Sequence, residues 1–374
     1  MKHIFEKESN NYNNLLNLNK MDFDEVIKSM FILNKDPSEF KDEINEIYSY
    51  KSNVGYRKSI EDIICDKYLK NEIIEMDFYS IIDEKSHAIH RLICSENLSN
   101  TLKYFGEKGA DLNQQDVDTS CIAHLAAEFG SKQIIELLAE TAGVNLNQKN
   151  YVGNTALHFA AKSNQKEMIE LLLGKGLDPN EQGEYQRTPF LLACCTGSEE
   201  IVELLLEKGS KINAKDELEL NGLLLASKYG HKNIIKLLIE KGISNEDGDE
   251  KKAFFLAAQS GYLNILEYFV DEIKIDVNEK DDKGQNCLHV CVLSGSLECV
   301  EYLISKGIDL NTKSNDNETA LLIASFGGFK EIFEYLIDNG ADINEIDSEG
   351  RTVIHWSAAV GNSELVSYLI SKGI

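Results

Sequence analysis

No run of 18 or more apolar residues occurs in this 374-residue chain, so no membrane span is predicted. The first residues, Met-Lys-His-Ile-Phe-Glu-Lys-Glu-Ser-Asn-Asn, lack the apolar stretch of a secretory signal. The expectation is a soluble protein made for the cytosol. Catalytic signatures are missing too. There is no Gly-x-x-x-x-Gly-Lys-Ser/Thr loop, no Gly-x-Ser-x-Gly elbow and no His-Glu-x-x-His pair. The acidic string Asp247-Gly-Asp-Glu250 lacks the ligand spacing of a calcium loop. Cys287 and Cys291 share one short helix, but no second ligand pair follows at zinc-finger distance. The eight cysteines therefore read as buried reduced thiols, and neither a metal nor a cofactor is expected.

Positive charge is also scarce. Against 63 acidic residues stand 38 basic ones, a net charge of −25. Such a field repels phosphate backbones, which argues against nucleic acid and favours a protein partner with a basic surface. The plainer alternative is that solvated helix faces are kept acidic for solubility.

What the chain does have is a period. Thr155 is matched by Thr188, Asn221, Asn286, Thr319 and Thr352, at steps of 33, 33, 65, 33 and 33. The long step spans two units, with Lys252 in the register between them, and the register reaches back to Cys121 and His87. That makes nine units over 83–374, and a fixed period of this length means a stacked solenoid. Thr or Asn at the register position can cap the first helix of a unit, and Pro189 follows Thr188 where a missing N–H costs nothing. Five positions on come small residues: Ala126, Ala160, Ala193, Ala226, Ala257, Cys291, Ala324 and Ser357. Second helices read Ile-Ile-Glu-Leu-Leu or a variant, and most end in glycines such as Gly143, Gly176, Gly209, Gly242, Gly307, Gly340 and Gly373.

Thr155-Ala-Leu-His-Phe-Ala-Ala161, Thr188-Pro-Phe-Leu-Leu-Ala193 and Thr352-Val-Ile-His-Trp-Ser-Ala358 resemble the Thr-Pro-Leu-His-x-Ala-Ala core of the ankyrin repeat. The resemblance implies an all-α solenoid of stacked helix pairs with finger turns. It also implies that His90, His124, His158, His289 and His355, which share one register, bridge neighbouring turns and do no catalysis. Trp356 shares a position with Phe159 and Leu192 and reads as core.

Residues 1–82 match no unit. Their apolar stripes, for example Phe23, Val26, Ile27, Met30 and Phe31, predict a helical N-terminal segment, either a cap on the solenoid end or a second docking module. Lys252 heads an irregular unit only 31 residues after Asn221, behind the acidic linker Ser244-Asn-Glu-Asp-Gly-Asp-Glu250. A bend or register shift is expected there. The chain stops at Ile374 after a complete second helix, so Val366, Leu369 and Ile370 either leave part of the last face open or are covered by a longer native chain.

By resemblance the array binds protein along its concave face, through finger tips and the exposed ends of first helices. The finger-tip candidates are Val117, Tyr151, Val152, Tyr185 and Leu218, and Gly248-Asp249 is the expected tip of the irregular unit. The first-helix candidates are Phe129, Tyr229, Leu293, Phe326 and Val360. The function expected is a non-catalytic interaction scaffold or adaptor. Alternatives are a substrate-recruiting subunit of a larger complex such as a ubiquitin ligase, or a host-directed effector. An enzyme housed in 1–82 would lack a candidate triad.

Overall fold

The computed structural model describes residues 94, 97 and 99–373, except 108–110, 114, 116–118, 246 and 247. The N-terminal segment over 1–82, with His3, Cys65, His87, His90, Gly109 and Val117, lies outside the described residues. The chain forms two compact units, Met1–Pro189 and Phe190–Ile374.

In the first unit a helix α1 (Ser99–Glu107) is followed by two helix pairs, α2 (Ile122–Phe129) with α3 (Lys132–Glu140), and α4 (Ala156–Lys162) with α5 (Lys166–Gly174). The first helix of each pair is short and apolar on nearly every side, and Ile122 through Ala127 are all buried in α2. That pattern suits a helix enclosed between its neighbours. α2 and α4 pack side by side, with Ala126 and Ala160 fully buried. The second helices carry one stripe instead. In α3 only Ile134, Ile135 and Leu138 are buried, and in α5 only Met168, Ile169 and Leu172. Burying one such side chain contributes about 1.5–3 kcal/mol, so each pair is held mainly by these stripes.

The second unit repeats the arrangement with α6 (Pro189–Thr196) and α7 (Glu199–Glu207), α8 (Gly222–Tyr229) and α9 (Lys232–Glu240), and α10 (Asp249–Gln259) and α11 (Leu263–Glu267). It continues with α12 (Cys287–Ser294) and α13 (Leu297–Ser305), α14 (Ala320–Gly327) and α15 (Lys330–Asp338), and α16 (Val353–Ala359) and α17 (Ser363–Ser371). All eight small residues five places after the register position are fully buried. Gly222 shows how close the approach is. A Cβ there would lie 3.0 Å from Cys194 Sγ and 3.1 Å from the Phe190 ring. The expected caps hold at Thr155, Asn221, Asn286, Thr319 and Thr352. Pro189 opens its helix. No named strand occurs among the described residues, only isolated bridges, Lys215 with Asn221 and Lys280 with Asn286, across two finger bases.

The irregular unit departs from expectation in three ways. Its first helix starts at Asp249 behind Gly248 (φ 69°), so Lys252 lies in the first turn and is not a cap. Gly248 and Asp249, expected as a finger tip, are therefore a helix start. The short step removes the finger, and the first helix grows to eleven residues while still packing on α8 and α12. Third, α11 widens into π turns over Tyr268–Ile273 and stops at Lys274 (φ 68°), where other units have glycine.

In the last unit Leu369 is buried, on a helix that packs against α16, so it is not part of an open face. Val366 is half-buried and Ile370 is 62% exposed.

Candidate protein-binding surface

Two features shape the surface, the fingers and the open edges of the first helices. Each finger is a tight turn closed on itself. Asp281 N–H donates to Gln285 O and Gly284 N–H to Asp281 O; Ser314 and Asp347 close their fingers in the same way. The Asp281 carboxylate also accepts from the amides of Lys283 and Gln285, both at 2.9 Å. This is why Asp or Ser recurs at the finger base.

Histidines hold the fingers to the helices. Thr155 N–H donates to His158 Nδ1 at 3.1 Å, which leaves the imidazole proton on Nε2, and Nε2 donates to Arg187 O at 3.1 Å. His289 does the same to Glu318 O at 3.0 Å, and His124 reaches Gln148 O at 2.9 Å. Gly183 makes room for this bridge, since a Cβ there would lie 2.8 Å from His158 Nε2. Burial lowers the His158 pKa to about 4 and lowers that of His289 as well, so both rings are neutral at pH 7. Thr352 N–H donates to His355 Nδ1 at 3.2 Å in the same geometry, but this ring is exposed.

Among the described residues no group of three or more His, Cys, Asp or Glu side chains is arranged to hold a metal. The described cysteines are free, and all but Cys195 are buried. Burial pushes the Cys194 and Cys287 thiols up. A hydrogen bond between Cys291 and Cys299 raises the first and lowers the second to about 7.

The candidate contact residues separate into groups. In the first unit Tyr151 is 71% exposed at its tip, Val152 and Phe129 are half-buried, and Tyr185 is exposed. Tyr185 holds φ 55°, a left-handed backbone that disfavours an aromatic side chain by roughly 1–2 kcal/mol, with Arg187 beside its ring. In the second unit Leu218 is 64% exposed at a tip. Leu293 and Phe326 stand seven residues after their caps, whereas Phe129, Tyr229 and Val360 stand eight after. The first-helix candidates thus occupy two adjacent registers and not one.

Trp356 corrects the sequence reading. It is half-buried, as are Phe159 and Leu192, because the fourth position after the cap lies on the helix edge. Its ring meets Phe326 edge-on at 5.0 Å, Arg351 lies 4.1 Å above it, and its Nε1 donates to Asp347 Oδ2 at 3.1 Å. Leu293, Phe326 and Trp356 therefore supply open apolar surface on successive first helices of the second unit. The spacing held the signal: positions four and seven after a cap share one helix face.

A ladder of asparagines was also missed. Asn113, Asn213, Asn278 and Asn311 each accept from a backbone N–H of the next loop, at Asn145, Ser244, Asp309 and Asp342. Asparagine at 147, 180, 213, 278, 311 and 344 repeats the cap register's own steps and marks these loops in the sequence.

Among the described residues no helix is long and apolar enough to cross a membrane. A family model for ankyrin repeats, three copies long, matches residues 89–183, 123–216, 223–314 and 288–374. A search of curated proteins finds no match to the chain.

Proposed function

Because this chain belongs to the ankyrin repeat family, whose repeats generally mediate protein–protein contact, we propose that it is a non-catalytic interaction scaffold or adaptor. It engages its partner through exposed first-helix edges and finger tips. The observation that carries this is the open apolar surface on successive helices of the second unit, Leu293 at 48% and Phe326 at 50% exposure beside Trp356. Scattered surface apolars are ordinary, but aromatic and aliphatic groups on adjacent repeats form the kind of patch that marks an interface. Exposed Glu217, Asp282, Asp316 and Glu349 stand on finger tips of the same unit, and the net charge of the chain is −25. Both favour a partner with a basic surface, whose encounter the field would speed. The proposed setting is the cytosol.

The test is affinity capture from the native cell with the full chain and with a Leu293→Ser, Phe326→Ser double variant. The variant should lose the principal wild-type partner and keep its unfolding midpoint. Equal capture by both would show that this surface does not bind.

A further inference from the structure

The helix edges change character at α12. On α12, α14 and α16 the seventh position after the cap holds Leu293, Phe326 and Ala359, and the fourth holds Val290, Ile323 and Trp356. No charged residue occupies the fourth, seventh or eighth position of these three helices. In earlier units the seventh position is charged at Glu128, Lys162 and Lys228, with Cys195 and Gln259 at the other two. The apolar panel is therefore confined to three helices that pack in succession.

Its borders are charged. The fingers form one border, because Trp356 Nε1 donates to Asp347 and Arg351 lies over the Trp356 ring. Residues 279–285, 312–318 and 345–351 of those fingers include eight acidic and four basic side chains. Lys313 pairs with Glu345, and Arg351 with Asp347 and Glu349. That leaves Lys280 and Lys283 as the finger bases with no ion pair among the described residues. The turns over 294–298, 327–331 and 360–364 form the other border. They carry Glu298, Glu331 and Glu364 against Lys330, which is itself paired with Glu364. Both borders are net acidic.

We infer that this panel seats one basic amphipathic helix of a partner protein, lying across α12, α14 and α16 with apolar side chains seven residues apart. Packed helices stand about 8–10 Å apart, and seven residues of α-helix advance about 10 Å. One apolar residue in seven thus meets each first helix in turn, and about 15 residues span all three. An extended segment fits less well. The first helices bond their own main chains, so a strand laid on them would leave its N–H and C=O groups unpaired over an apolar surface, whereas a helix satisfies its own. The acidic borders select Lys or Arg on both sides of the apolar stripe.

This inference rests on the reading of the array as a protein binder and commits that surface to one kind of occupant. The probe is a stapled helical peptide of about 18 residues, with leucine at every seventh position and lysine on both sides of that stripe. It is titrated into the full chain by calorimetry. Saturable binding is expected, weakened about tenfold or more by Leu293→Asn or by Phe326→Ser, the range for one large apolar contact. A peptide of the same composition whose leucines do not share one face should bind at least about tenfold more weakly. No saturable binding, equal affinity for the two peptides, or full affinity in either variant overturns the helix seat. Trp356 is the only tryptophan and reports occupancy in the wild-type chain. An emission spectrum unchanged at saturation therefore overturns the seat even if a variant fails to fold. Peptide failure combined with loss of the native partner by the Leu293→Ser, Phe326→Ser variant would sink the helix and leave the proposed function standing.

Discussion

The side-chain amide of Asn221 donates to Asp249 Oδ2 at 2.6 Å, and both residues are buried. This bond stands where regular units use a histidine. His158 and His289 reach forward to a finger carbonyl of the next unit, but the unit capped by Asn221 has Leu224 at that position and no finger ahead of it. A carboxylate at the start of the lengthened helix takes the carbonyl's place, and its charge also suits a helix N-terminus.

Asn221→Ala should therefore be among the more destabilising single changes in the array. It removes a cap, worth about 1 kcal/mol, and strands a buried carboxylate that loses a charge-assisted hydrogen bond of about 1.5–3 kcal/mol. Urea unfolding should show a loss of roughly 2–4 kcal/mol on those grounds. Asp249→Asn, which can still accept from Asn221, should lose less. Equal losses for Asn221→Ala and a surface Asn339→Ala would show the bond to be incidental.

The histidine bridge predicts a pH dependence. His158 titrates near 4 when folded against an ordinary 6.5, because burial penalises its charged form. Between those values the unfolded chain binds more protons than the folded one, so stability rises with pH through this window. It is complete above about 6.5 and declines as pH falls toward 4. The shift is worth roughly 3 kcal/mol at 1.36 kcal/mol per unit. His158→Gln should unfold more easily than wild type at pH 7, and the gap should narrow by pH 4.5. A constant gap across that range would remove the linkage.

The periodic parts of the fold were legible because each rests on one residue doing one physical job. Thr155 and Asn286 cap, Ala160 and Ala324 admit a neighbouring helix, and Gly176 and Gly340 turn the chain at φ 91° and 98°. What stayed hidden depends on contacts between units. Lys252 sits in the cap register, but helix start is decided by Gly248 and by Asn245, whose Oδ1 accepts from Glu250 N–H at 3.0 Å. Trp356 was misplaced because register alone does not say how much of a helix edge the next unit covers. The candidate tips were identified as positions, but the links between tips, such as Asn315 N–H to Lys283 O, depend on how neighbouring fingers pack.

Replacing Tyr151, Tyr185 and Leu218 together by Ala should weaken partner binding with little change in unfolding midpoint, since all three are more than half exposed. Tyr185→Gly alone should, if anything, raise stability, because glycine accepts φ 55° without the penalty an aromatic residue carries there. A triple variant that unfolds early and retains binding would make these side chains braces between fingers.

The connection at 244–252 should be the least protected of the inter-unit connections. At 183–187 and 314–318 the chain closes a finger by a backbone bond, Gly183 N–H to Arg187 O and Ser314 N–H to Glu318 O, both at 2.9 Å. The 314–318 tip is further tied to its neighbour by Asn315. At 244–252 the helix already begins at Asp249, Gly248 N–H donates to Asn245 O at 3.1 Å, and Ser244 and Glu250 donate to the side chains of Asn213 and Asn245. Side-chain acceptors rotate away without disturbing the helices. Because solenoid units couple only to their neighbours, a weak connection can let 83–247 and 248–374 open partly independently, although α8 and α10 remain packed in the folded state. Hydrogen exchange followed by mass spectrometry should show faster exchange across 244–252 than across 183–187 or 314–318, with two separable protection levels on either side at intermediate urea. Uniform protection through all three connections would mean that the packing of α8 on α10 governs local opening and that the missing finger does not weaken the array.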